Sequence, residues 1–224
     1  MWKRQLVAGS LVALCSAVAL SASGVETPLI TAVKAGQHDR VKAMIERRVD
    51  ANQPEPDGTT ALHWAVRADD VDTVRLLLRA GAHATAANRY GITPLALAAT
   101  NGNAVVMALL LEAGADPDTQ LTEGETVLMR ASRTGRLDAI QLPIDRGAKV
   151  NAVEQSLGEN ALMWAAAEDH ASAVQLLVKA GADVNARSRR ETRPIRYVSQ
   201  AGGGTRVPLP RGGWTALMYA ARQN

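Results

Sequence analysis

The chain has 224 residues, 47% of them hydrophobic and 21% charged, an ordinary globular composition with length for one or two compact domains. Aromatic residues make up only 3% and Phe is absent, so a core must be built from Leu, Val, Ala and Met, which suits thin layers of short helices. The formal charge of +3 falls to +1 without Lys3 and Arg4, and so gives no case for a nucleic-acid partner.

Residues 1–24 read as a targeting segment. Lys3 and Arg4 form a positive start, Leu6 to Leu20 an uncharged apolar stretch, and Ala17-Val18-Ala19 or Ser21-Ala22-Ser23 a small-residue cleavage site. The apolar run is shorter than the roughly 20 residues a spanning helix needs, so a cleaved signal is expected in preference to an uncleaved membrane anchor. Leu14 before Cys15 speaks against a lipoprotein. Cys15 is the one cysteine, so the mature chain would have no thiol for disulfides, metal sites or nucleophilic catalysis.

From Val25 onward the sequence repeats itself. The phrase Asp57-Gly58-Thr59-Thr60-Ala61-Leu62-His63-Trp64-Ala65 returns at Tyr90 and at Glu123, each after 33 residues, and at Gly158 after 34 or so. A second marker, Gly81-Ala82, Gly114-Ala115, Gly147-Ala148 and Gly181-Ala182, keeps the same period. Each unit reads as turn, helix, turn, helix. Thr60, Thr93, Thr126, Asn160 and Thr215 are placed to cap a first helix, and Pro94 follows its cap at the first helical position. Second helices carry apolar residues at helical spacing, such as Val71, Val74, Leu77 and Leu78, and end on the recurring Gly. One unit cannot bury its own apolar face, so neighbours must stack into a continuous core.

Thr60-Ala61-Leu62-His63, Thr93-Pro94-Leu95 and Gly181-Ala182-Asp183-Val184-Asn185-Ala186 resemble the ankyrin family, over residues 25–188 and again 212–224. The resemblance implies an all-α ankyrin-repeat solenoid of helix-turn-helix units joined by hairpin fingers. The units are expected at about 25–56, 57–89, 90–122, 123–156 and 157–188, with a truncated one at 211–224. The Ala- and Arg-rich style points to a bacterial member, periplasmic or secreted. Two departures stand out. Arg48 replaces the helix-ending Gly, and Pro143 falls inside a second helix where sister units have Leu77, Leu110 and Leu177. An internal Pro costs about 3 kcal/mol, so the third full unit is expected to be the weakest layer.

Residues 189–210 interrupt the period with an Arg-, Gly- and Pro-rich insertion that must extend a finger. From Arg187 to Arg211 there are seven Arg and one Glu, including Arg189, Arg190, Arg193 and Arg196. Two readings stay open: a basic finger that grips an acidic partner, or a solvated loop. Tyr197 is its lone aromatic, too little for a nucleic-acid stacking platform. The sequence stops within the first helix of a repeat, which is expected of a fragment or an early-ended copy of a longer array. On that reading the alternative function is the interaction module of a longer enzyme or secreted effector.

Nothing converges into catalytic chemistry. His38, His63, His83 and His170 lie in different units, and no zinc-peptidase, nucleophile-elbow or phosphate-loop spacing occurs. No enzyme activity, cofactor or metal is expected. By the resemblance His63 braces its turn, and Glu168-Asp169-His170 caps a helix end. Trp64, Trp164 and Tyr219, equivalent to Leu97 and Arg130, read as packing between layers. Binding of a protein partner by a monomer is the function the resemblance implies. Its variable positions fall on Asp57, Thr59, Arg67, Arg89, Tyr90, Ile92, Asn101, Glu123, Glu125, Arg133, Glu159, Glu168 and an exposed Trp214, together with the arginines and Tyr197 of the insertion.

Overall fold

The computed structural model describes residues 27–190 and 212–223, so the expected signal segment and most of the insertion lie outside the described residues. Within these the chain forms eleven helices and no strand, only an isolated bridge between Gln120 and Thr126. Five helix pairs follow one another: α1 (Pro28–Lys34) with α2 (His38–Glu46), α3 (Ala61–Arg67) with α4 (Val71–Arg79), and α5 (Pro94–Asn101) with α6 (Ala104–Glu112). Then come α7 (Val127–Ser132) with α8 (Leu137–Asp145) and α9 (Ala161–Ala167) with α10 (Ala171–Lys179), and α11 (Ala216–Gln223) follows the insertion. Each first helix packs on the previous first helix, and each second helix on the previous second helix. The result is a two-row solenoid.

Helices this short are unstable alone, so their existence depends on caps and on the layer beneath. Thr93 Oγ1 accepts from Ala96 N, Thr126 Oγ1 from Met129 N and Asn160 Oδ1 from Met163 N, at 3.0–3.3 Å. Equivalent residues then stack into core columns. Leu29, Leu62, Leu95, Leu128 and Leu162 are all at most 3% exposed, and Ala32, Ala65, Ala98, Ala131 and Ala165 are at 0%. Each buried leucine contributes about 1.5–3 kcal/mol, and the alanine column lets helix backbones approach where Phe could not fit. In α11 the same column continues with Leu217, but here it is 78% exposed.

Both departures from the repeat are accommodated. Arg48 adopts φ 59°, the left-handed conformation that Gly81, Gly114, Gly147 and Gly181 provide elsewhere. Pro143 is buried inside α8, whose nine residues match the length of α2, α4, α6 and α10. The ring occupies the leucine position of the sister helices, two residues from the helix end, so the Pro does not shorten the helix. No helix among the described residues is long and apolar enough to cross a membrane.

Candidate binding face

The loops between layers form fingers, and each closes on the same backbone bond. Glu55 N donates to Thr59 O, Asn88 N to Ile92 O, Leu121 N to Glu125 O, Glu154 N to Glu159 O and Ser188 N to Trp214 O, at 2.8–3.0 Å. Ser188 and Trp214, on either side of the insertion, are therefore paired in the same way as the base of every other finger. Neighbouring tips are joined as well. Arg89 N donates to Asp57 O at 2.8 Å, Gln155 N to Glu123 O at 2.7 Å and Arg189 N to Leu157 O at 2.5 Å. Thr122 Oγ1 donates to Tyr90 O at 2.7 Å. The tips thus make one continuous hydrogen-bonded edge.

Side chains at the finger bases stiffen that edge. Asn88 Oδ1 accepts from Tyr90 N and Ile92 N, both at 3.0 Å. Glu154, 3% exposed, accepts from Ser156 N, the Ser156 hydroxyl, Leu157 N and Glu159 N. Burial pushes its carboxyl up, and the bonds from Glu159, Ser156 and Leu157 together outweigh it and hold the group below the usual carboxylate range. His63 is buried under the second finger. Thr60 N can only donate, so His63 Nδ1, 3.2 Å away, accepts, and the ring proton sits on Nε2, 3.0 Å from Ile92 O. Burial holds this imidazole below its ordinary pKa, so it is a neutral brace between two fingers.

Beside the edge runs a row of first-helix side chains, Trp64, Leu97, Arg130, Trp164 and Tyr219, each half-buried. Trp64, Leu97, Trp164 and Tyr219 rest on the core with one side and meet solvent with the other. The Trp64 indole lies under Lys34 Nζ at 4.0 Å and near Arg67 at 5.4 Å, and that of Trp164 lies 5.4 Å from Arg133. Two adjoining clefts open here. One, of about 270 Å³, is lined by Thr100, Arg130, Arg133, Thr134 and Glu168, and the other, of about 230 Å³, by Arg133, Glu159, Trp164, Ala167 and Glu168.

The positions expected to bind are unevenly available. Arg67, Arg89, Tyr90, Glu123, Arg133, Glu168, Arg189 and Arg190 are exposed. Arg89 and Tyr90 form a stacked pair, with Arg89 Nη2 donating to the Tyr90 hydroxyl at 2.6 Å. Asp57 sits half-buried at its tip, where the Thr59 N–H bonds its carboxylate and holds its pKa low. Glu125 is tied to Arg130 at 2.6 Å, and Asn101 Nδ2 donates to Val66 O at 2.9 Å. Two of the expected positions are less open than the rest, and the expected exposure of Trp214 is corrected. Thr59 is 9% exposed, closed in by its own turn and by Asn88. Ile92 is half-buried, with its carbonyl taken by His63. Trp214 is half-buried, because its ring packs on Tyr219 at 5.4 Å and beside Arg222. Arg193, Arg196 and Tyr197 lie outside the described residues.

The sequence favours packing between layers over a binding stripe for Trp164 and Arg130, and does not single out Thr100 or Thr134 as cleft residues. Glu168, Asp169 and His170 form the turn between α9 and α10, with Asp169 at φ 57° and His170 Nε2 2.9 Å from Arg133 O. No cluster of three His, Cys, Asp or Glu placed to hold a metal ion occurs among the described residues.

In a comparison with protein families, the model described as ankyrin repeats (3 copies) matches over residues 9–88, 29–120 and 95–188. No curated protein matches the sequence.

Proposed function

The chain belongs to the ankyrin-repeat family, and from that premise we propose that it is an exported scaffold that holds a protein partner on its fingertips and first helices. Ankyrin repeats in general mediate protein–protein interaction and are typically non-enzymatic. One observation carries the reading. The fingertip edge and the row from Trp64 to Tyr219 place exposed arginines, carboxylates and half-buried aromatic faces on the same rigid side of the solenoid. That mixture suits a protein surface, with aromatic and Arg anchors amid adaptable polar groups, more than a single small molecule.

Export rests on the sequence of residues 1–24 and is tested by the intact mass of the native product. A start near Leu20 or Gly24 is the expected result, and a start at Met1 would refute cleavage. The binding face is tested by charge reversal. Arg67→Glu with Arg133→Glu is expected to abolish retention of the partner, and Arg75→Glu with Arg79→Glu, on a second helix, to leave it unchanged. The opposite pattern would place the partner on the other row.

A further inference from the structure

The second and fifth layers carry the same three residue types at the same places in the repeat: a cation at the C-terminal end of the preceding first helix, a glutamate at the finger base and a tryptophan on the first helix. In the second layer these are Lys34, Glu55 and Trp64, and in the fifth Arg133, Glu154 and Trp164. Lys34, Glu55 and Trp64 form a closed set. Glu55 Oε2 accepts from Trp64 Nε1 at 2.8 Å, its other oxygen pairs with Lys34 Nζ at 2.5 Å, and Lys34 lies over the indole.

In the fifth layer the cation still lies over the ring, but the carboxylate is missing. Glu154 has turned under its own fingertip, and both its oxygens are committed to Ser156, Leu157 and Glu159. Trp164 Nε1 is left without a hydrogen-bond partner, and so is Arg130 Nε at the equivalent place one layer before. Among the described residues no other side-chain nitrogen or oxygen is found buried and unpaired in this way. A buried donor left unpaired is costly, and both belong to residues that line the two adjoining clefts. Arg133 lines both clefts and is itself weakly engaged, with its Nε 3.7 Å from Glu168 and 60% of its side chain exposed.

We propose that Arg133 and Trp164 form a receptor for a carboxylate side chain, glutamate or aspartate, of a peptide segment in the protein partner. The incoming group takes the role Glu55 plays in the second layer: it accepts from the Trp164 indole N–H and pairs with the Arg133 guanidinium, which leaves Glu168. Glu168 is its intramolecular rival, and Glu159 is held by the Tyr219 hydroxyl. A charge-assisted pair between an indole wall and a guanidinium fork selects a carboxylate over the isosteric amide. This rests on the scaffold reading, since it names what the partner must present.

The test uses the full chain and a fluorescein-labelled peptide with a single glutamate among neutral residues, its glutamine counterpart serving as control. Binding is read by anisotropy, and the Trp164 indole N–H resonance, assigned through Trp164→Phe, by NMR. The glutamate peptide is expected to bind about tenfold more tightly than the glutamine one, and Arg133→Ala to remove that difference. Glu168→Gln is expected to tighten binding. The Trp164 resonance should move downfield on titration, and that of Trp64, already bonded to Glu55, should stay. Equal affinity for the two peptides, an unmoved Trp164 resonance or no binding at millimolar peptide would each overturn the proposal. None of these outcomes bears on whether a partner is held through other positions, which retention of the partner by Arg67→Glu alone, with Arg133 intact, decides.

Discussion

Tyr219 donates its hydroxyl proton to Glu159, sixty residues earlier in the chain, and this bond seats α11 on α9 across the insertion. The Trp214 ring, 5.4 Å from that of Tyr219, closes the same corner, and Trp214 N donates to Ser188 Oγ at 3.0 Å. Ser188 and Trp214 thus hold the two sides of the insertion together at the base of a finger. Burial and then the bond to Glu159 push the Tyr219 hydroxyl up to about 12.

Tyr219→Phe is expected to loosen this corner by about 1 kcal/mol, the net worth of a hydrogen bond in a partly buried site. Hydrogen exchange of the α11 amides should accelerate, with those of α3 and α5 unchanged. The pH dependence follows from the raised pKa. The contribution is intact below about pH 10 and is lost as the pH rises toward about 12. Unchanged exchange in α11 would show that the stack of Trp214 suffices without the hydroxyl.

His63 gives the opposite dependence. Its pKa is lowered in the folded chain by burial, so the unfolded chain takes up a proton first as the pH falls. Stability is expected to be full above pH 6.5, and to fall as the pH drops below that toward the folded value. Urea unfolding midpoints across that range should decline less in His63→Gln, although that variant starts from a lower stability. Parallel profiles for the two chains would mean that His63 does not titrate with unfolding.

The periodic part of this fold was legible because a solenoid writes its contacts locally. Leu62, Leu95 and Leu128 recur at a fixed spacing because each faces the same neighbour, one layer on. The capping residues and the helix-ending Gly were readable for the same reason. Side-chain routing was not. Glu55 and Glu154 occupy equivalent positions, yet one reaches a tryptophan and the other its own fingertip, because the fourth finger has one residue more to fold over. Arg48 shows a similar limit: the repeat pattern calls for a Gly there, and the fold imposes the left-handed turn on Arg instead. Trp214 looked exposed by phase, and Tyr219 gave it a partner. The recurrence of cation, glutamate and tryptophan in layers two and five is present in the sequence and could have pointed to Arg133 and Trp164 as a pair, but only the side-chain routing gives it meaning.

Leu162 and Leu217 are the same residue of the repeat in different surroundings, 1% and 78% exposed. Leu162→Ala is expected to cost about 2–5 kcal/mol, and Leu217→Ala less than about 0.5 kcal/mol. Denaturant unfolding of the two variants measures the contrast. Similar losses would mean that Leu217 is covered in solution.

Pro143→Leu restores the residue found at the same place in α4, α6 and α10 and returns a backbone donor to α8. Stability is expected to rise by about 1–3 kcal/mol, less than the full cost of an internal Pro because the site lies near the helix end. The melting temperature checks this. A fall would show that the packing around the ring has no room for a leucine.

The most direct measurement of the scaffold claim is site-specific photo-cross-linking in the native cells. A photoreactive side chain is placed at Arg67, Tyr90 or Arg133 on the binding face, and at Arg75 or Gln175 on the second-helix row. A discrete protein adduct, the same partner each time, is expected from the first set and none from the second. Adducts from Arg75 and Gln175 alone, or from no position at all, would contradict the scaffold claim.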